Sequence, residues 1–413
     1  MQFFISRLVG QPVLGSTGQE LGVLRDVVVG LDAPGYPPVR GLVVRGGKRD
    51  HFVPITDLAV LDFDQVQLRR DDLPVEEFER RDGEGLLEHD ILDRQLIDVQ
   101  AARVVRANDA QVAVIDDQWR LVSIDVGGKG LLRRLGPRWL IGSLEGQLID
   151  WAVIEPLAST VPEVRLRIPH DKLAKLHPSD IARIVDSLAY PQGTEIMQAL
   201  DDATAADTLE EIEEGRQIDI LESLLPARAA TILDEMAPDA AADLLDDLPR
   251  EQADRLIALM QVDEAAAVEL LLSYPERSAG GIMTTDFVIA LEHETTREAV
   301  AYIQAQLDKP DLIYYVYVVD TQDNQRLLGI ISLRDLLLAQ PDQALRSYMR
   351  TEVKTVRPEA SAAEATRLMT EYNLLALPVT DAQGRMLGLV TADDALEYLL
   401  PASLKRHVPR LFS

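Results

Sequence analysis

Between residues 276 and 400 the chain writes one pattern twice, and this constrains its fold more than any other feature. Gly329-Ile330-Ile331-Ser332-Leu333-Arg334-Asp335 and Gly388-Leu389-Val390-Thr391-Ala392-Asp393-Asp394 both read glycine, two apolar residues, a hydroxyl residue and, three positions on, Asp. Met283-Thr284-Thr285 opens the first copy and Met349-Arg350-Thr351 the second. Helical spacing follows over Thr296–Leu307 and Ala362–Tyr372, then apolar runs over Tyr314–Val319 and Ala376–Val379. These periods predict strand, helix, strand, strand, helix in each copy.

The closing motif has two physical readings. A Ser or Thr at a strand end can cap the next helix, with the Asp completing a capping box. The same carboxylate, at the strand C-terminus where α/β layers hold ligands, can accept both hydroxyls of a ribose beside a phosphate. Capping explains one copy; repetition inside a duplicated unit favours the ligand.

Upstream, from about Pro169 to Tyr274, the chain is dense in Ala, Leu, Asp and Glu. Helices are expected to begin at Pro178, Pro226, Pro238 and Pro249, because the N–H that proline lacks is unpaired in a first turn anyway. Apolar residues keep helical spacing at Ala230, Ile232, Leu233 and Met236, then at Ala241, Leu244, Leu245 and Leu248. Helices of two to three turns are unstable alone and must stack. The first 165 residues instead alternate short apolar runs (Val27–Val29, Gly41–Val44, Val112–Ile115, Leu121–Val126) with Gly and Pro punctuation, as strands do. Arg40-Gly41-Leu42-Val43-Val44 resembles Arg120-Leu121-Val122-Ser123-Ile124, on either side of an acidic stretch from Asp71 to Asp90. The region reads as two copies of a small β unit.

Composition narrows the function. Lys and Arg total 41 against 69 Asp and Glu, a net charge of −28, which argues against nucleic acid and anionic lipid as partners and favours cations. Cysteine is absent, so disulfides, thiolate metal sites and cysteine nucleophiles are excluded. The six histidines lack metal-ligand spacing, and neither a nucleophile elbow nor a phosphate-cradling loop occurs, so an enzyme is not expected. There is no secretory signal pattern, and no run of about 18 apolar residues that would span a membrane. A cytoplasmic location follows as the expectation.

Residues 276–400 resemble a tandem pair of CBS domains. That resemblance implies an adenine-nucleotide cleft in which Ser332 and Asp335 hold a ribose, Arg334 lies near phosphate and Tyr317 near the base; Thr391 and Asp394 are the equivalents in a second cleft. The run Ser273-Tyr274-Pro275-Glu276-Arg277-Ser278-Ala279-Gly280-Gly281-Ile282-Met283-Thr284-Thr285 is similar to the domain junction of the MgtE family of magnesium channels. His177-Pro178-Ser179-Asp180-Ile181-Ala182, Ile313 to Val319 and Leu374 to Val379 share this likeness, which covers about residues 170–400. It implies a Mg²⁺ sensor in which acidic faces of the helical domain and the CBS pair are bridged by the ion. Asp239 and Asp243 match the acidic pair of the family's Met-x-Pro-Asp-x-x-x-Asp motif, and Asp394 and Glu397 give the facing acidic surface. The chain departs from the sensing pattern at Asn373, an acidic position in those relatives, and is poor in acids at Ser361-Ala362-Ala363-Glu364. Leu8-Val9-Gly10-Gln11-Pro12-Val13, Gly18 to Val27 and Phe52-Val53-Pro54 resemble, more weakly, a PRC-barrel, which implies an interaction or RNA-processing accessory module, and the acidic balance favours protein interaction.

The expectation is therefore a multidomain α+β protein. It comprises a β-barrel-like region at 1–165 (two units, 1–75 and 90–165), a short-helix superhelical domain at 166–275, a tandem CBS pair at 276–400 (276–342 and 343–400) and a basic tail at 401–413. The expected function is a Mg²⁺-sensing regulator with ATP or another adenine nucleotide as a second input, dimeric through the CBS pair, with a separate membrane channel or another protein as its partner. The alternatives are a nucleotide sensor without working metal sites and an interaction scaffold.

Overall fold

The structure is a computed structural model that describes residues 2–33, 35–62, 65–75, 77–135, 146–156, 173–305 and 313–399. The basic tail at 401–413 lies outside the described residues. The chain forms two compact units, Met1–Leu200 and Asp201–Ser413. No helix among the described residues is long and apolar enough to cross a membrane.

The first unit is strand-rich. One sheet runs in the order Arg49–Pro54, Val39–Gly46, Glu20–Gly30, Pro12–Leu14, Val66–Leu68, Leu58–Leu61, with Glu84–Leu86 also paired to Glu20–Gly30. Among the described residues its two end strands are not bonded to each other, so the sheet is open rather than a closed barrel. A four-stranded sheet (Gln2–Phe4, Asp109–Ile115, Gln118–Asp125, Leu148–Asp150) and a three-stranded one (Arg103–Arg106, Gln95–Asp98, Ile154–Pro156) complete the strand-rich part. One core serves both halves of the region: Phe3, Leu24 and Leu42 are packed in the same cluster as Leu87, Leu96, Leu121 and Trp151. Each fully buried aliphatic side chain contributes about 1.5–3 kcal/mol, so neither half keeps that stabilisation alone.

The halves repeat each other in backbone detail. Gly10 (φ +86°) donates to Leu24 O at 2.8 Å, and Leu24 donates back to Gln11 O at 2.9 Å. Asp93 (φ +64°) does the same with Ala107 at 2.7 Å, and Ala107 with Arg94 at 3.0 Å. Both turns need a left-handed residue, which Gly and Asp tolerate better than other types.

The helical stretch is more regular than its prolines suggest. Among the described residues, helices begin at Pro178, Tyr190, Asp202, Glu214, Pro226, Pro238, Arg250 and Val262, one every 12 residues. Pro249 caps a helix from just outside rather than opening it. His177 is a helix cap, with its Nδ1 accepting from Ser179 N. In the second unit Pro226–Glu235 packs on Asp202–Glu211 and on Arg250–Ile257, and Pro238–Asp246 packs on Val262–Leu272. Next-but-one helices are thus neighbours, and the structural period is two helices. Side chains respect that period: Glu210 accepts from Ala237 N at 2.7 Å, and Asp234 accepts from Gln261 N at 2.9 Å, each capping a helix start. Ala230, Ile232, Leu233, Met236, Ala241, Leu244, Leu245 and Leu248 are all buried.

The duplicated segment folds as two small sheets. Val288–Leu291 pairs parallel with Tyr315–Val319, which pairs antiparallel with Leu327–Ser332. In the second copy Ala376–Thr380 pairs with Met386–Thr391. The expected first strand of that copy contracts to a single bridge, Val356 to Val379. Pro358 and Pro378 stand at this edge and have no N–H to extend a ladder.

Candidate functional site: the two closing motifs and the facing helix

Each copy's opening residues cross the other copy's closing strand. Thr284 exchanges backbone hydrogen bonds with Leu389, both at 2.9 Å, and Arg350 with Ile330, at 2.9 and 3.0 Å. This crossing explains the motif glycines. A Cβ on Gly388 would meet Thr284 O at 2.5 Å, and one on Gly329 would meet Arg350 O at 2.8 Å.

The hydroxyl–carboxylate pairs then diverge. In the second copy a capping box forms: Asp394 Oδ2 accepts from Thr391 N at 3.2 Å and from Thr391 Oγ1, while Asp394 N donates to Thr391 Oγ1. In the first copy Ser332 Oγ accepts from Asp335 N at 3.1 Å, but the Asp335 carboxylate turns to Arg350 Nη2 at 3.2 Å. Arg334 Nη1 stands 3.9 Å from its other oxygen.

Asp394 also meets the helical part of its unit. Its carboxyl is held well above the ordinary range, first by burial, then by the charge of Asp239 on helix Pro238–Asp246, then by Asp393; the Thr391 hydrogen bonds oppose this. Tyr314 is pushed up by burial and by Asp393 and Asp394. The fold thus gathers Asp239, Asp393, Asp394 and Tyr314. Asp239 is half-buried, whereas Asp243 one turn on is exposed. Glu397 lies on helix Ala392–Leu399, and its side chain is outside the described residues. No group of three or more His, Asp or Glu side chains that could hold a metal occurs among the described residues. Two carboxylates that feel each other's charge nonetheless suit a hydrated Mg²⁺, which keeps most of its water and uses one or two acids.

Tyr317 lies at 2% exposure in a cluster shared by both sheets, with Ala376, Met386 and Leu389. Its ring sits edge-on to Phe287 at 6.0 Å, and burial pushes its phenol up. Asn373 is the C-cap of helix Ala362–Tyr372 with φ +52°, ψ +51°, so its departure from an acidic residue has a backbone reason: Asn tolerates the left-handed cap. Sequence reasoning did not single out Asp393, Tyr314 or Arg350 as site residues. The mismatch between Thr284 and Arg350, at equivalent places after the opening Met, was the available signal for the last.

Two hydroxyl–carboxylate motifs, folded so that each copy completes the other's strand edge, define a CBS pair joined to a stack of short helices. Family models agree: the MgtE intracellular N domain matches residues 176–277, CBS domains match 279–342 and 345–401, and a PRC-barrel domain matches 1–81. The magnesium transporter MgtE of Thermus thermophilus is 39% identical over 145 residues, 35% of this chain and 32% of the transporter. The cytosolic domain of the Mg²⁺ channel MgtE, solved in complex with ATP, is 33% identical with a TM-score of 0.54, covering 59% of this chain and 98% of that one. The soluble part of a magnesium transporter is also 33% identical, with a TM-score of 0.53, covering 56% and 90%. The chain belongs to the family of the MgtE cytosolic domain and carries a PRC-barrel domain before it. It spans about a third of the length of the curated transporter it matches.

Proposed function

We propose that this chain is a Mg²⁺-responsive regulatory protein, not an enzyme, working in the cytoplasm as a dimer. Its parts are the PRC-type region, the MgtE-type helical domain and the CBS pair, with boundaries near 165 and 275. The observation that carries this reading is the charge interaction of Asp239 with Asp394, a repulsion that a divalent cation would relieve. Because a cation bound between them favours the closed arrangement over the open one, it shifts the population toward closure. Asp243 and Glu397 would extend the acidic faces. Exposed Leu337 and Leu338 (69% each) and Leu399 (58%) on the CBS helices support a dimer through that pair. An adenine nucleotide in the Ser332–Asp335 or Thr391–Asp394 cleft would supply a second input, supported by the ATP complex of the related channel domain. A membrane channel is the partner such a regulator would serve. Small-angle scattering during Mg²⁺ titration, with Ca²⁺ and monovalent salt as controls, tests the reading. Compaction by low-millimolar Mg²⁺ that D239N/D243N weakens supports it; a response matched by salt alone refutes it.

The absence of a three-acid cluster among the described residues and the cap role of Asn373 favour a second reading, a nucleotide sensor without a metal site. Binding of ATP, ADP or AMP in Mg²⁺-free buffer, with no scattering response to Mg²⁺, would establish it.

A further inference from the structure

The two closing motifs share one backbone arrangement, yet different side chains stand over them. Thr284 crosses the second motif in the register at which Arg350 crosses the first. Thr284 is neutral and short. Arg350 is 71% exposed and reaches back to Asp335, whose side chain is 32% exposed. The carboxylate expected to accept ribose hydroxyls is thereby occupied by a guanidinium of the same chain, with Arg334 close by at 81% exposure.

We propose that Arg350 makes the Ser332–Asp335 cleft selective for phosphorylated over unphosphorylated adenine nucleosides. This rests on the reading of that cleft as a nucleotide site. A ribose entering the cleft competes with Arg350 for Asp335. If the ligand carries a phosphate, the planar guanidinium has two phosphate oxygens to move to, and bidentate Arg–phosphate contacts are strong. A nucleoside provides no such acceptor, so its ribose must displace the Arg and leave it unpaired. The exchange requires only that Arg350 swing on an exposed side chain, because its backbone stays paired with Ile330. The second motif lacks this device, since Thr284 carries no positive charge to set against Asp394.

Calorimetric titration of the full chain with AMP and with adenosine, in Mg²⁺-free buffer, tests the proposal. Wild type is expected to prefer AMP. In R350A adenosine affinity should rise by up to about fivefold, the worth of an exposed ion pair. AMP affinity should fall by at least about tenfold, the worth of a charge-assisted hydrogen bond. R350K, which keeps the charge but not the fork, should give an intermediate ratio. An AMP-to-adenosine ratio unchanged in R350A overturns the proposal, as does AMP binding unaltered by D335N, which would place the nucleotide elsewhere. If neither ligand binds any of these proteins, the reading of the cleft itself fails, a result distinct from an unchanged ratio.

Discussion

Asp26 and Asp109, 83 positions apart, each close the opening turn of the other's half of the N-terminal region. Asp26 accepts from Glu88 N at 2.8 Å and His89 N at 3.1 Å. Asp109 accepts from Ser6 N at 3.2 Å and Ser6 Oγ at 2.6 Å. Both are buried, and each also accepts from the backbone N–H of the next residue. The exchange ties the two halves by hydrogen bonds as well as by their shared core. The pair differs in charge balance, because Asp109 binds Arg133 whereas, among the described residues, the hydrogen bonds to Asp26 come from backbone N–H groups.

That difference makes Asp26 a source of pH-dependent stability. Burial raises its carboxyl to about 6 from the ordinary 3.8, against the lowering effect of its backbone hydrogen bonds. The folded state therefore holds this proton more tightly than the unfolded one. The contribution is complete below about pH 4 and is lost as pH rises through 6, and it amounts to about 3 kcal/mol. Denaturant unfolding from pH 4 to 7 should show this component in wild type and not in D26N. Identical pH profiles would contradict the assignment.

Arg133 is 6% exposed and bridges two buried carboxylates, Asp109 at 3.0 Å and Asp125, with its guanidinium 3.6 Å from the centre of the Phe4 ring. Removing one member of a buried ionic cluster leaves uncompensated charge and costs about 3–5 kcal/mol. R133A should lower the unfolding midpoint accordingly, and R133K by less. A loss under about 1 kcal/mol in R133A would mean that water reaches the cluster.

Replacing either closing glycine should separate the CBS copies. In G388A the new methyl carbon meets backbone, the Thr284 carbonyl, at 2.5 Å, and in G329A it meets the Arg350 carbonyl at 2.8 Å. Overpacking of this kind costs about 1–3 kcal/mol, with G388A the worse. Chemical denaturation of the two variants checks both the magnitude and the order.

Asp239 and Asp394 should show energetic coupling without any metal. Removing the Asp239 charge in D239N relieves repulsion, so the Asp394 carboxyl should titrate nearer its ordinary range, as followed by carboxyl-carbon NMR in Mg²⁺-free buffer. A cycle of D239N, D394N and the double variant is expected to give a coupling of about 0.5–3 kcal/mol. Additive effects would show that the two groups do not interact.

Much of the second unit was legible in one dimension because its signals are local. Helix Ala362–Tyr372 falls where the periodicity places it, and Ser332 and Thr391 cap helices as hydroxyl residues at strand ends do. The first strand of the second copy was not legible, because whether Val356 extends into a ladder depends on the proline edge it meets. Nor was the 12-residue rhythm, since only some of its helices open on proline.

What the sequence by itself determined is the set of elements and their duplication, since hydrophobic period, caps and breakers act between residues a few positions apart. The family resemblance implied that Asp394 faces the acidic helix of Asp239, but only tertiary structure decided that the equivalent Asp335 meets a positive charge. Asp335 and Asp394 occupy equivalent places in one motif. The fold sets Arg350 beside the first and Asp239 beside the second, across separations of 15 and 155 residues. Electrostatic interaction depends on distance through space and on local burial, and no pattern along the chain encodes either.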